Sequence, residues 1–343
     1  MSRLLGYFEW KKADAAWMLL LLACTLGLPL FITNDYYLNM LVLLFLYAGM
    51  ASAWNIVGGM AGQFSLGHTA FFGVGAYTST LLYNYAGVSP WIGMVAGGLL
   101  SMALAVVIAF PAFRMRGVFF AMATLAFGET VRILLMASRK YTDMPYGLSI
   151  DYRPGFLRMI FEERASYALL AGLFLIAVTI VAFMISRSYI GAYLRAIRDS
   201  EEAAVASGIG MRRYKMIALL VSAFFTSAGG TLLTQYVLYI EPTSVFNMAF
   251  SVDLPLMALL GGIGSIAGPI IGAAIALPLR DVLLETFGQS APGLHLVIYG
   301  VALIVIVILL PNGLIGGAQA IRDRLKRKPA GETRGETRAR EVH

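Results

Sequence analysis

A chain of 343 residues that is 59% hydrophobic and only 13% charged, with a mean hydropathy of +0.76, holds more apolar surface than a water-soluble domain of that length can bury; the missing solvent is lipid. The net charge of +7 does not point to nucleic acid, because the basic residues sit at the ends of apolar runs and in a C-terminal tail, the distribution of a membrane protein with positive cytoplasmic loops. One cysteine, Cys24, excludes an intramolecular disulfide framework, and the lack of alternating segments of about ten residues excludes a closed β-barrel.

In chain order, apolar runs lie near residues 15–33, 38–57, 61–83, 91–113, 118–136, 167–186, 214–238, 250–279 and 294–310. Crossing roughly 30 Å of hydrocarbon takes about 20 mainly apolar residues, so each run is a candidate span. Cys24 lies inside the first, which continues through Phe31 and reads as an uncleaved span rather than a signal peptide.

Orientation follows from Lys and Arg. With a cytoplasmic N-terminus, the inside segments hold Arg3, Lys11 and Lys12, then Arg114 and Arg116, then six basic residues from Arg187 to Lys215, and eight in the tail from Arg322. The outside loops near 34–37, 84–90, 239–249 and 288–293 hold none, while 137–166 carries five basic against four acidic residues. A cytoplasmic tail then requires the run 250–279 either to enter and return on one side or to form two short spans, and Gly261-Gly262-Ile263-Gly264-Ser265 with Gly268-Pro269 supplies the break. The expected fold is all-α, a polytopic transmembrane helical bundle of eight to ten spans with glycine-broken or re-entrant segments. Residues 1–14 form a cytoplasmic N-terminal segment, 15–310 the transmembrane domain with a cytoplasmic loop at 187–213, and 311–343 a cytoplasmic, largely disordered tail containing Gly-Glu-Thr-Arg twice.

Four constellations stand out. In the loop, Asp199 can cap a short helix with Glu201 and Glu202 at its positive end and Gly208 as its stop. Such a helix has too little apolar face to be stable alone and should dock in something. Next, Gly58, Gly59, Gly62, Ser65, Gly67 and His68 break one apolar run, and Gly261, Gly262 and Gly264 break another. Paired glycine-broken segments either pack helices closely or mark a solute path where backbone groups meet a polar solute. Third, Glu129 and Arg132 share one face of the run 118–136, as contacts for a zwitterion, as part of a gate, or as a buried structural pair near the outer boundary. Fourth, the outside segment 137–166, with Tyr141, Tyr146, Tyr152 and Pro154, is a landing surface for an external protein or a plain loop.

Absences narrow the reading further. No Gly in the chain precedes a Lys, so there is no phosphate-binding Gly-Lys loop; His68, His295 and His343 are scattered, without metal-ligand spacing; and the hydrolase motifs Gly-x-Ser-x-Gly and His-Glu-x-x-His do not occur.

Glu202-Ala203-Ala204 with Gly208 resembles the EAA loop of bacterial ABC importer permeases. Gly58-Gly59-Met60-Ala61-Gly62-Gln63-Phe64-Ser65-Leu66-Gly67-His68, Arg116-Gly117-Val118-Phe119-Phe120, Thr124-Leu125-Ala126-Phe127-Gly128-Glu129 and Gly261-Gly262-Ile263-Gly264 together resemble the LivM-type permease of branched-chain amino acid ABC uptake systems, over about residues 38–310. The resemblance implies a non-enzymatic transport subunit in the bacterial inner membrane with both termini cytoplasmic, moving Leu, Ile and Val. It binds no cofactor itself, ATP-Mg residing on two cytoplasmic ATPase subunits; its other partners are a LivH-like permease subunit, a periplasmic solute-binding protein and the bilayer. It also assigns coupling to Glu201, Glu202, Ala203, Ala204 and Gly208; beside it, the residues themselves offer the glycine segments, His68, Glu129 and Arg132 as path candidates, His68 alternatively being a packed, hydrogen-bonded histidine. Urea or short amides are the alternative solutes. An ion-coupled secondary transporter using Glu129 or His68 is the alternative mechanism.

Overall fold

Long apolar runs punctuated by glycine and proline fold here as helices that stop where the punctuation stands. The computed structural model describes residues 12–137, 147–287, 293–309 and 313–317; the expectations for the N-terminal eleven residues, for Tyr141 and Tyr146 and for the tail from 318 lie outside them. The helices are α1 (Lys12–Phe31), α2 (Asp35–Asn55), α3 (His68–Ala86), α4 (Pro90–Ala112), α5 (Val118–Ala137), α6 (Arg164–Arg187), α7 (Tyr189–Asp199), α8 (Glu201–Ala206), α9 (Met211–Val237), α10 (Pro242–Val245), α11 (Met248–Gly261), α12 (Gly268–Phe287) and α13 (Leu294–Leu309). Two residues each of β1 (Leu148–Ser149) and β2 (Tyr239–Ile240) form an antiparallel ribbon.

Six helical segments among the described residues are long and apolar enough to cross a membrane: Asp35–Met60, Pro90–Ala112, Val118–Ala137, Arg164–Arg187, Met211–Val237 and Pro242–Gly261. Trp17–Phe31 and Leu296–Ile306 are shorter apolar helices. With large apolar side chains such as Phe110, Phe119 and Ile308 turned outward, the chain is a multi-pass membrane protein of the expected helical class. The run 250–279 resolves into two helices, α11 and α12, packed side by side. The run drawn from residue 61 starts later than expected, since 61–67 is an irregular loop and α3 begins only at His68.

The core is built on small residues, because lipid supplies no hydrophobic drive between helices and close backbone approach must replace it. Along α9, Ser222, Thr226, Ser227, Gly230 and Thr231 face inward, and Thr231 Oγ1 donates to the Gly75 carbonyl on α3 at 3.1 Å. Around them Trp54, Phe71, Phe120 and Leu175 fill the interior.

The connections sort to two ends. At one end the ribbon gathers 147–163, 87–89 and 238–247: Asn84 Nδ2 donates to the Ser149 carbonyl (3.0 Å), and Trp91 Nε1 to that of Phe156 (2.8 Å). At the other end lie loop 61–67, the turn at 113–117, α7, α8 and the turn at 262–267, linked by the contacts described next. Arg116, Arg198 and Lys215 all sit at that second end, as the charge count expected of one membrane side.

Candidate functional site

Six residues cannot hold a helix by themselves, so α8 is defined by its caps and by one anchor. Ser200, in extended conformation, caps it: Ser200 Oγ accepts from the Ala203 N–H at 3.3 Å. This corrects the expected cap, Asp199, which ends α7 instead and pairs with Arg198 at 3.3 Å; the helical segment runs one residue further than the Asp–Glu spacing suggested. At the far end the N–H of Ile209 donates to the Ala204 carbonyl (3.0 Å) and that of Gly208 to the Val205 carbonyl (2.9 Å), with Gly208 at φ +80. This is the double bond of a Schellman stop, whose left-handed residue favours glycine.

The anchor is Glu201. Its Oε1 accepts from Lys215 Nζ at 2.5 Å and from Gln63 Nε2 at 3.2 Å, and its Oε2 lies 3.5 Å from Arg116 Nε. The Lys215 side chain is 1% exposed and that of Glu201 20%. Glu202 points the other way, 84% exposed, with Arg116 Nη1 at 3.3 Å. Of the five residues expected to couple, Glu201 and Ala204 therefore face the bundle, while Glu202, Ala203 and Gly208 face out alongside Val205. One side of α8 is held by the chain and the other is open.

From this anchor, contacts lead directly into the glycine segments. Gln63 belongs to loop 61–67, which follows a π-helical turn at Ile56–Met60. Trp54 Nε1 donates to the Ser65 carbonyl at 2.7 Å and folds the loop back on α2. Arg198 on α7 donates from Nη1 to the Gly59 carbonyl at 3.1 Å. The Asn55 amide then joins the two breaks: Oδ1 accepts from the Gly264 N–H and Nδ2 donates to the Ser265 carbonyl, both at 2.8 Å. A Cβ at Gly59 would lie 2.5 Å from the Gly264 nitrogen, so the approach of the two segments requires glycine there.

The remaining expected residues fall as follows. Gly58 packs under the Trp54 ring, Gly62 lies on the Arg198 stem, and Gly261 meets Gly268 where α11 and α12 converge, with Gly262 next in the turn. Gly67 packs on Thr124 of α5, and His68 is fully buried with Nε2 2.8 Å from Ser222 Oγ. Glu129 and Arg132 do form an ion pair, the guanidinium meeting the carboxylate through two nitrogens. The pair is not the buried one weighed from sequence: its side chains are 49% and 26% exposed, on a face of α5 that the described residues leave uncovered. Neither residue contacts the glycine junction among the described contacts.

Sequence reasoning missed Lys215, Gln63 and Asn55 as parts of this cluster. Lys215 carried a readable signal: it stands at the start of an apolar run that forms a spanning helix, and an ionisable group there needs a partner. It also missed Asp253 on α11 and Arg280 on α12, which pair at 3.2 Å.

Comparison with known proteins follows the same outline. A family profile described as "Branched-chain amino acid transport system / permease component" matches residues 36–307. The high-affinity branched-chain amino acid transport system permease protein LivM of Escherichia coli strain K12 is 30% identical over 308 residues, 83% of this chain and 71% of that protein. Its Salmonella typhimurium counterpart of the same name is 29% identical over 85% of this chain and 72% of that protein. A probable LivM permease of Methanocaldococcus jannaschii is 21% identical over 82% and 90%. No solved structure matches.

Proposed function

Because the chain belongs to the family of branched-chain amino acid transport system permease components, we propose that it forms one membrane-spanning half of an ATP-driven importer of leucine, isoleucine and valine, with α8 as the contact for a cytoplasmic ATPase. The observation that carries this reading is the two-sidedness of α8. Glu201 ties it inward to Lys215 and Gln63, while Glu202, Ala203 and Val205 stand open. A force applied to the open face is handed to the bundle through a short ion pair to a buried lysine rather than absorbed in a loop.

In this reading the α8 end is cytoplasmic and the ribbon end faces the periplasm, where a solute-binding protein delivers the amino acid. Both termini are cytoplasmic, in a bacterial inner membrane. Nucleotide-driven closure of two ATPase subunits displaces α8. Through Gln63 and Arg198 the motion reaches loop 61–67 and Gly59, and through Asn55 it reaches the turn at Gly264. The two glycine segments thereby move as one gate. The uncovered face of α5 meets a second permease subunit: Glu129 is the twelfth of twenty residues in that helix, near mid-span, where a carboxylate facing hydrocarbon would be costly. ATP hydrolysis belongs to the partner chains.

The test is reconstitution of the chain with its permease partner, ATPases and binding protein in proteoliposomes. ATP-dependent accumulation of radiolabelled L-leucine, absent with an ion gradient alone, is expected. Accumulation driven by the ion gradient without ATP overturns the proposal.

A further inference from the structure

At the ribbon end, residues of α2, α3, α9, α10, α11 and α12 line an open cavity of about 300 Å³, of the size that small-molecule sites occupy. Its walls are mostly apolar: Phe72 and Phe250 with ring centroids 4.4 Å apart, together with Val237 and Val245. On one side stand Asp253 and Arg280, the side chains 13% and 38% exposed, joined by a single contact of 3.2 Å between Nη1 and Oδ2. Tyr47 lines the same wall, its ring edge-on to Phe250 at 5.6 Å.

A one-point pair between a carboxylate and a guanidinium uses little of either group. The carboxylate offers a second oxygen and the guanidinium presents five N–H donors in a fork suited to carboxylates. An aliphatic α-amino acid carries the complementary set: an ammonium, a carboxylate one carbon away, and a branched apolar side chain. Resting on the importer reading above, we infer that this cavity is a transit site for a zwitterionic aliphatic amino acid, its ammonium on Asp253, its carboxylate on Arg280 and its side chain against Phe72 and Phe250. No net charge enters the membrane interior, because one ion pair is exchanged for two. A solute with only one of the two charges leaves one protein charge unpartnered, so the site discriminates against it by a hundredfold or more, as sites built around buried polar groups do. The ribbon end is where the proposed orientation delivers the solute, and the cavity wall includes Tyr239 and Ile240 of β2 and Ser244, Val245 and Asn247 beyond it.

Equilibrium binding of radiolabelled L-leucine to the purified full chain in nanodiscs tests the site. Saturable binding displaced by valine, but not by 4-methyl-2-oxopentanoate or 3-methylbutylamine, is expected. Asp253→Asn and Arg280→Gln should each lower affinity at least tenfold. Those variants could also disturb folding, so Val245→Trp fills the cavity without touching the charged pair; it should abolish binding with the thermal midpoint retained. Absence of saturable leucine binding to the wild-type chain, or equal displacement by the oxo acid and the amine, overturns the site. The complete transporter separates this result from failure of the importer reading. ATP-driven leucine uptake unchanged in Asp253→Asn and Arg280→Gln removes the site and leaves the importer standing; a wild-type transporter that takes up no leucine removes the importer itself.

Discussion

Lys215→Met is the sharpest perturbation of the α8 anchor. The Lys215 side chain is 1% exposed and its ammonium meets Glu201 at 2.5 Å. Removing one partner of a buried pair costs about 3–5 kcal/mol when the survivor is left uncompensated. Glu201 keeps Gln63, Arg116 and a fifth of its side-chain surface in solvent, so the loss falls to roughly 2 kcal/mol, a shift of about 30-fold toward undocked α8. Glu201→Gln is the harsher change, stranding an ammonium that has almost no solvent, and costs about 3 kcal/mol or more. The double variant removes both charges and should cost roughly 2 kcal/mol less than the sum of the singles. The assays are the thermal midpoint of the purified chain and, in proteoliposomes, leucine moved per ATP hydrolysed. We expect that ratio to drop in both singles and to recover partly in the double. Additive stability losses, or an unchanged transport-to-hydrolysis ratio in Lys215→Met, would refute the latch.

Three further outcomes follow from the same contacts. Gly59→Ala forces a methyl group to within 2.5 Å of the Gly264 nitrogen and onto the Asn55 side chain; overpacking of that kind costs about 1–3 kcal/mol, seen as a lower thermal midpoint together with lost uptake. Gly208→Ala places a Cβ at φ +80 with no neighbour to clash, so its cost is the left-handed strain of about 1–2 kcal/mol; circular dichroism should stay at wild-type level while uptake per ATP falls. Glu129→Leu removes a half-exposed charge from the uncovered face of α5. If that face meets a second permease subunit, the variant inserts and remains folded but co-purifies poorly with that subunit, whereas a lipid-facing residue would leave co-purification untouched.

Much of the bundle was legible because hydropathy and glycine placement act locally. The split of 250–279 at Gly261–Gly268 and the stop at Gly208 follow from residues whose backbone preferences override their surroundings. The start of α3 was not legible. Gly62, Ser65 and Gly67 mark a break in residues 61–67 without fixing its length; Trp54 Nε1 and Thr124 Oγ1 bind Ser65 and Leu66 from outside the segment and hold all seven residues as a loop. The same holds for the cluster around Glu201. Its partner Gln63 lies 138 positions away and Asn55 reaches Gly264 across 209, separations that no local pattern encodes. Glu129 and Arg132 show the limit in the other direction: their spacing gave the pair correctly, but which way it faces depends on what covers α5.

The central claim, that the open face of α8 is where an ATPase pushes, is tested most directly by a single cysteine. Val205 stands on that face, 54% exposed, and Cys24→Ala removes the one native thiol. With Val205→Cys in intact spheroplasts, we predict no labelling by a membrane-impermeant maleimide, ready labelling in inside-out vesicles, and cross-linking to the co-expressed ATPase whose yield changes when ATP is added. Labelling from the periplasmic side, or a thiol open in inside-out vesicles that never cross-links to the ATPase, would contradict it.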